Sequence, residues 1–219
     1  MNIPILYEDA EALVIDKPAG LPVDRPKRGG PCLVDRLDEL KLGFQRPPVP
    51  VHRLDTDTSG CLLLARNPKA LKRFNRAFEE RLVEKTYLAV LAGHPPGEAG
   101  TIELALSKIS SPEKGWRMIA AKKGKPAISH WELVMALGDR SLIRFRPETG
   151  RTHQLRVHAL GGLGVPLLGD PVYGAGPVAG AARTMLHAAS IIVPREGKPP
   201  IAATAPLPAD FTALGASDG

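Results

Sequence analysis

His52-Arg53-Leu54-Asp55-Thr56-Asp57-Thr58-Ser59-Gly60 is the densest cluster of reactive side chains in the sequence. It stands between the proline-rich residues 46–50 and the short apolar run 62–65. The proline-rich stretch ends a segment, residues 33–42, with helical spacing at Leu33, Leu37 and Leu40. The apolar run reads as a buried strand. A polar loop is therefore held on a sheet, the usual way a scaffold presents functional groups.

Working outward, Asn67 is placed as an N-cap and Pro68 suits a first helical turn. Leu71, Phe74, Phe78 and Leu82 follow at three- and four-residue steps and predict one apolar helix face. Upstream, residues 3–7 and 12–16 read as strands, turned by Lys17-Pro18-Ala19-Gly20. Downstream strands are expected at 86–91, 102–106, 128–136, 141–146, 186–193 and 201–204, and a helix over about 152–160 that stops at Gly161-Gly162. Strands outnumber helices and come in runs, not in strict alternation. The expected fold is α+β, with a large mixed, mainly antiparallel central sheet flanked by helices and a catalytic cleft. No linker separates independent domains, so residues 1–219 are read as a single catalytic domain or two coupled subdomains.

Composition narrows the function classes. Of 219 residues, 43% are hydrophobic and 24% charged, as in a soluble globular protein. The longest apolar run, residues 87–92, is too short to cross a bilayer, and the first residues lack the pattern of a signal peptide. Cys32 and Cys61 are the only cysteines; two isolated thiols imply a reducing compartment, the cytoplasm, and no thiolate metal site. A net charge of +6 favours a polyanionic partner. The cations are grouped: residues 66–85 hold seven Lys or Arg, 107–126 hold six and 140–158 hold five, so several basic stretches can follow one phosphate backbone.

The loop at 52–60 admits other readings. Asp55, Asp57, Ser59 and Gly60 match the first ligands of a calcium loop, but the twelfth position is Arg66 where a Glu is needed. Asp57-Thr58-Ser59-Gly60 is close to an aspartic-protease turn, but no second copy supplies the other carboxylate. An ordinary polar turn is the remaining alternative.

The full string resembles the HRLD-x-x-TSG signature of the RluA-type RNA pseudouridine synthases. Two further segments match that family in the same order: Lys85-Thr86-Tyr87, and Pro147 to His158 with its Thr149-Gly150-Arg151-Thr152-His153-Gln154 core, followed by Gly169-Asp170. The resemblance runs from about residue 5 to about residue 206. It implies isomerisation of uridine to pseudouridine in RNA, on a nucleotide flipped from its stack. It implies Asp55 as nucleophile, Arg151 as the cation that keeps Asp55 ionised and oriented, and Tyr87 stacked on the uracil. Leu155 would form an apolar floor. Arg53 would enter the RNA stack or bind a phosphate, and His52 would either contact substrate or support the loop. Whether Asp55 attacks C1′, attacks C6 or removes a 2′ proton stays open. The reaction requires no cofactor and no metal. The expected partner is RNA, a ribosomal RNA or transfer RNA stem-loop, with no membrane; a monomer is expected. Many relatives carry an S4-type RNA-binding module before the catalytic part, and none is expected here. The competing readings are a non-catalytic RNA-binding protein of the same fold and a nucleoside glycosidase, which would need a second placed carboxylate.

Overall fold

The computed structural model describes residues 3–27, 29–111, 113 and 115–217. In chain order the elements are β1 (Ile5–Glu8), β2 (Ala12–Lys17), a 3-10 helix (Leu33–Leu40), β3 (Val49–Pro50), β4 (Ser59–Ala65), α1 (Pro68–Glu79), β5 (Glu84–Leu91), β6 (Ala99–Glu103), β7 (Leu106–Ser111), β8 (Gly115–Ala120), β9 (Ile128–Leu137), β10 (Arg140–Pro147), α2 (Gln154–Leu163), β11 (Leu186–Val193), β12 (Ile201–Thr204) and α3 (Ala209–Thr212). The fold is α+β, with mostly antiparallel strands and few helices. None of the described helices is long and apolar enough to cross a membrane.

The chain forms two compact units. The first runs to Lys85 and resumes over Ala188–Pro206; the second covers Thr86–His187 and resumes from Leu207. In the first unit β2 and β4 pair antiparallel from Ala12 opposite Ala65 to Lys17 opposite Gly60. Both strands are covered on two faces, which is why they read as continuous apolar runs and not as alternations. Helix α1 lays Ala70, Phe74 and Ala77 against Val14, Cys61 and Leu63. Its start is as the sequence predicts: the Asn67 side chain accepts the Ala70 N–H at 2.8 Å, and Pro68 opens the first turn. Its end is not. The helix stops at Glu79, Arg81 takes a left-handed conformation at φ 60°, and Leu82 lies beyond the helix, 52% exposed. No glycine announces this stop; Arg81 adopts the strained conformation that closes the last carbonyls.

In the second unit β5, β10, β9 and β6 are neighbours in that order, all antiparallel. Helix α2 packs Leu155, Ala159 and Leu163 against Ile102, Trp131 and Phe145. It spans residues 154–163, so it runs through Gly161-Gly162 where the sequence predicted an end, and closes instead at Gly164 with φ 74°. The glycine pair answers to packing: a Cβ on Gly162 would lie 2.6 Å from Ile102 Cγ2. The expected strand 102–106 divides, because β6 ends at Glu103 and Leu106 opens a separate two-stranded hairpin, β7–β8. In the sequence that hairpin shows only as a basic stretch.

Candidate active site

The signature stretch is held in the first unit from several sides. Strand β4 begins at Ser59, directly after the loop. Gly60 has φ 105°, and a Cβ there would meet the Ala188 carbonyl oxygen at 2.2 Å, so only glycine lets β4 approach β11 so closely. The loop itself turns at Asp55, whose carbonyl accepts the Thr58 N–H at 3.1 Å. Asp55 is half-buried.

Thr56 is the anchor. Its carbonyl accepts the Gly20 N–H at 2.9 Å and the Lys17 ammonium at 3.1 Å. Lys17 is fully buried and also donates to the carbonyls of Pro18 and Leu21, each at 2.8 Å. A buried ammonium is tolerable only when its donors are used, and here they tie the Lys17-Pro18-Ala19-Gly20 turn to the residue beside Asp55. By pattern alone Lys17 belongs only to a turn. The available signal was a lysine ending an otherwise apolar strand.

His52 sits beneath the loop. Its Nε2 accepts the Leu63 N–H at 3.1 Å, and its ring stacks on Phe78 with centroids 4.9 Å apart. Burial, helped by the Lys85 charge, holds its pKa down to about 4, so it is neutral in ordinary buffers. Arg53 is exposed and pairs with Asp24 at 2.9 Å. Cys61 follows the loop inside the core; burial pushes its thiol up to about 12, which leaves it inert.

The second unit carries the other residues. Tyr87 stands on β5 opposite Phe145 of β10 and packs, partly buried, against the unit's core. Leu155 is buried within that same core. Arg151 lies in the turn before α2, half-buried, with its Nε donating to the Pro126 carbonyl at 3.3 Å. The turn is organised by Gln154, which the sequence marks as part of the Pro147–His158 string without giving it a role. The Gln154 Oε1 accepts the Arg151 N–H at 3.0 Å and the Thr149 hydroxyl at 2.7 Å, while its Nε2 donates to the Ile128 carbonyl and to Ser129 Oγ, each at 2.9 Å. Both its donors and its acceptor oxygen are used, and one of the four bonds fixes the Arg151 backbone. Further along α2, Arg156 grips Asp170 with two hydrogen bonds of 2.7 Å. Burial opposes the charge on Asp170, but the Arg156 fork and the N–H groups of Val172 and Tyr173 outweigh it and keep its pKa below the usual carboxylate range.

Three comparisons bear on these residues. A family model described as RNA pseudouridylate synthase matches residues 11–160, a span that includes the Asp55 loop, Tyr87 and Arg151. The chain is 55% identical to an uncharacterized RNA pseudouridine synthase of Zymomonas mobilis, over 96% of each chain. It is 37% identical to a ribosomal large subunit pseudouridine synthase D of the same organism, over 90% of this chain and 67% of that protein. A solved structure, human RNA pseudouridylate synthase domain containing 4, is similar with a TM-score of 0.80 and 26% identity, covering 96% of this chain and 91% of that one. With a family model matched along most of its length and a relative of more than half identical residues, the chain belongs to the RNA pseudouridylate synthase family.

Proposed function

We propose that this chain isomerises specific uridines in structured RNA, foremost in ribosomal RNA of the large subunit, with Asp55 as the nucleophile. Transfer RNA stem-loops are the other substrate class of the same chemistry. The observation that carries the reading is the rigid seating of the Asp55 turn, anchored through the Thr56 carbonyl to the buried Lys17 ammonium. A nucleophile that must meet one carbon of a flipped nucleotide benefits from a backbone fixed before substrate arrives.

In the reaction the N1–C1′ bond of uridine breaks, the uracil turns, and a C5–C1′ bond forms. The C5 proton leaves and N1 takes a proton, so atoms balance without a redox partner or group donor. Asp55 supplies the carboxylate, and the planar Arg151 guanidinium orients it. Tyr87 offers an aromatic surface to the extruded base. Arg53 acts at the vacated stack or a flanking phosphate. Leu155 and His52 serve from beneath, Leu155 as apolar packing and His52 as a neutral hydrogen-bond acceptor. The protein acts as a monomer in the cytoplasm, in keeping with two buried, free thiols.

The test is release of tritium from RNA labelled at C5 of uridine. Wild-type protein releases it from unmodified large-subunit ribosomal RNA transcripts. Asp55→Asn binds the same transcripts and releases none. Release from transfer RNA transcripts alone would move the substrate to that class. Binding by the wild type without release from any RNA would favour a non-catalytic RNA-binding protein.

A further inference from the structure

The β7–β8 hairpin plays no part in the reading above. Its register sets Lys108 opposite Met118 and Ser110 opposite Trp116, so Lys108, Met118 and Trp116 share one face. On that face Trp116 is 48% exposed. The ring is nonetheless held in place. It stacks on His153 with centroids 5.0 Å apart and 29° between planes, and the Lys108 ammonium lies 5.3 Å from its centroid. His153 is itself fixed by Tyr173, whose hydroxyl meets Nδ1 at 2.9 Å and whose ring stands edge-on at 5.7 Å. The Tyr173 hydroxyl also accepts the Met118 N–H at 3.0 Å, which ties the hairpin to the start of α2. Behind it, Asp170 accepts the Tyr173 N–H and is locked by Arg156.

Beside this stack opens a cleft of about 520 Å³ whose charged lining is Lys108, Lys123, Lys125 and Arg151, with no carboxylate among the described residues that line it. Met118, on the same face as Trp116, lines it as well. An oriented, half-open indole next to four cations suits one kind of partner. A nucleobase stacks on the ring while its phosphate enters the cationic cleft. A duplex keeps its interior base faces covered and offers only its ends for stacking. An acidic peptide would use the cations and leave the flat ring unmatched.

We infer that Trp116 is a stacking platform for an unpaired nucleobase of the substrate RNA, with the adjoining phosphate held by Lys108, Lys123 and Lys125. The inference rests on the RNA reading given above.

The chain has two tryptophans, and Trp131 is buried. Trp131→Phe therefore leaves Trp116 as the only indole emitter. Titrating that variant with a short oligouridylate quenches its fluorescence, whereas, at equal occupancy, a uridylate–adenylate hairpin duplex whose end is closed by a loop quenches it much less. Binding of fluorescein-labelled oligouridylate, read by anisotropy, weakens about tenfold in Trp116→Ala and by no more than about threefold in Trp116→Phe, since stacking on one aromatic ring contributes that much. Lys123→Ala lowers the salt dependence of binding by about one phosphate contact. Unchanged affinity in Trp116→Ala, or binding without a change in Trp116 emission, overturns the platform and leaves the RNA reading standing. If Trp116→Ala unfolds, the quenching measured in Trp131→Phe decides. A wild-type protein that binds no RNA overturns both.

Discussion

The buried Lys17 ammonium donates to the carbonyl of Thr56, 39 residues away in sequence and next to Asp55, at 3.1 Å. This contact joins the end of β2 to the turn that carries Asp55, the proposed nucleophile. Lys17→Met keeps the length of the side chain and removes all three donated bonds, leaving the carbonyls of Pro18, Leu21 and Thr56 short of a donor. Stability should fall by about 1–3 kcal/mol. Turnover should fall further than melting alone explains. A variant that melts lower yet turns over normally at a temperature where it is folded would show that Lys17 does not position the Asp55 turn.

Gly60→Ala should be among the most damaging substitutions in the first unit. The new methyl would overlap the Ala188 carbonyl oxygen, and φ 105° is strained for any L side chain. Overpacking and backbone strain together should cost about 3 kcal/mol or more. Soluble yield and thermal melting check this, and a melting point equal to that of the wild type would contradict it.

His52 makes stability depend on pH. Its folded pKa of about 4 lies below the ordinary value of 6.5, so the unfolded chain binds more protons between these two limits. The contribution of neutral His52 is complete above about pH 6.5 and is lost as pH falls toward 4, by about 1–3 kcal/mol. His52→Gln keeps an acceptor for the Leu63 N–H and does not titrate. Melting at pH 7 and pH 5 should therefore separate the wild type from the variant, and parallel curves would show that His52 is protonated in the fold.

Arg53→Ala should leave stability within about 0.5 kcal/mol, because its pair with Asp24 is exposed at both ends. Its effect should appear on RNA. Single-turnover rates should drop on a structured stem-loop and much less on an RNA whose target uridine is already unstacked, since unstacking costs a few kcal/mol. Equal losses on the two would leave Arg53 as a support of the loop.

Arg151→Lys should reduce turnover roughly 10- to 100-fold, the worth of one charge-assisted hydrogen bond, with RNA affinity nearly kept. The Gln154 bond to its backbone does not depend on the side chain, so the fold of the turn should persist. A fully active Lys variant would exclude a planar fork at this position.

Much of this protein is legible in its sequence because the signals are local. The Asn67 cap, the Pro68 turn and the apolar spacing at Phe74 act over one or two helical turns, and the runs of strand-forming residues in β2, β4, β9, β10 and β11 record burial directly. The strings around Asp55, Tyr87 and Arg151 that carry the family resemblance are likewise short. What the sequence could not determine depends on residues that meet only after folding. Gly161-Gly162 read as a stop until Ile102 was packed against it. Lys17 read as a turn residue until Thr56 came within reach. Trp116 and Trp131 are the same amino acid in strands of similar composition; one lies buried against α2, while the other is held half-open on the β7–β8 hairpin by His153 and Tyr173. Pattern and propensity specify which residues form an element. Which faces are covered, which backbone can approach, and which buried polar group finds a partner are set by the tertiary packing, because those energies exist only between segments distant in the chain.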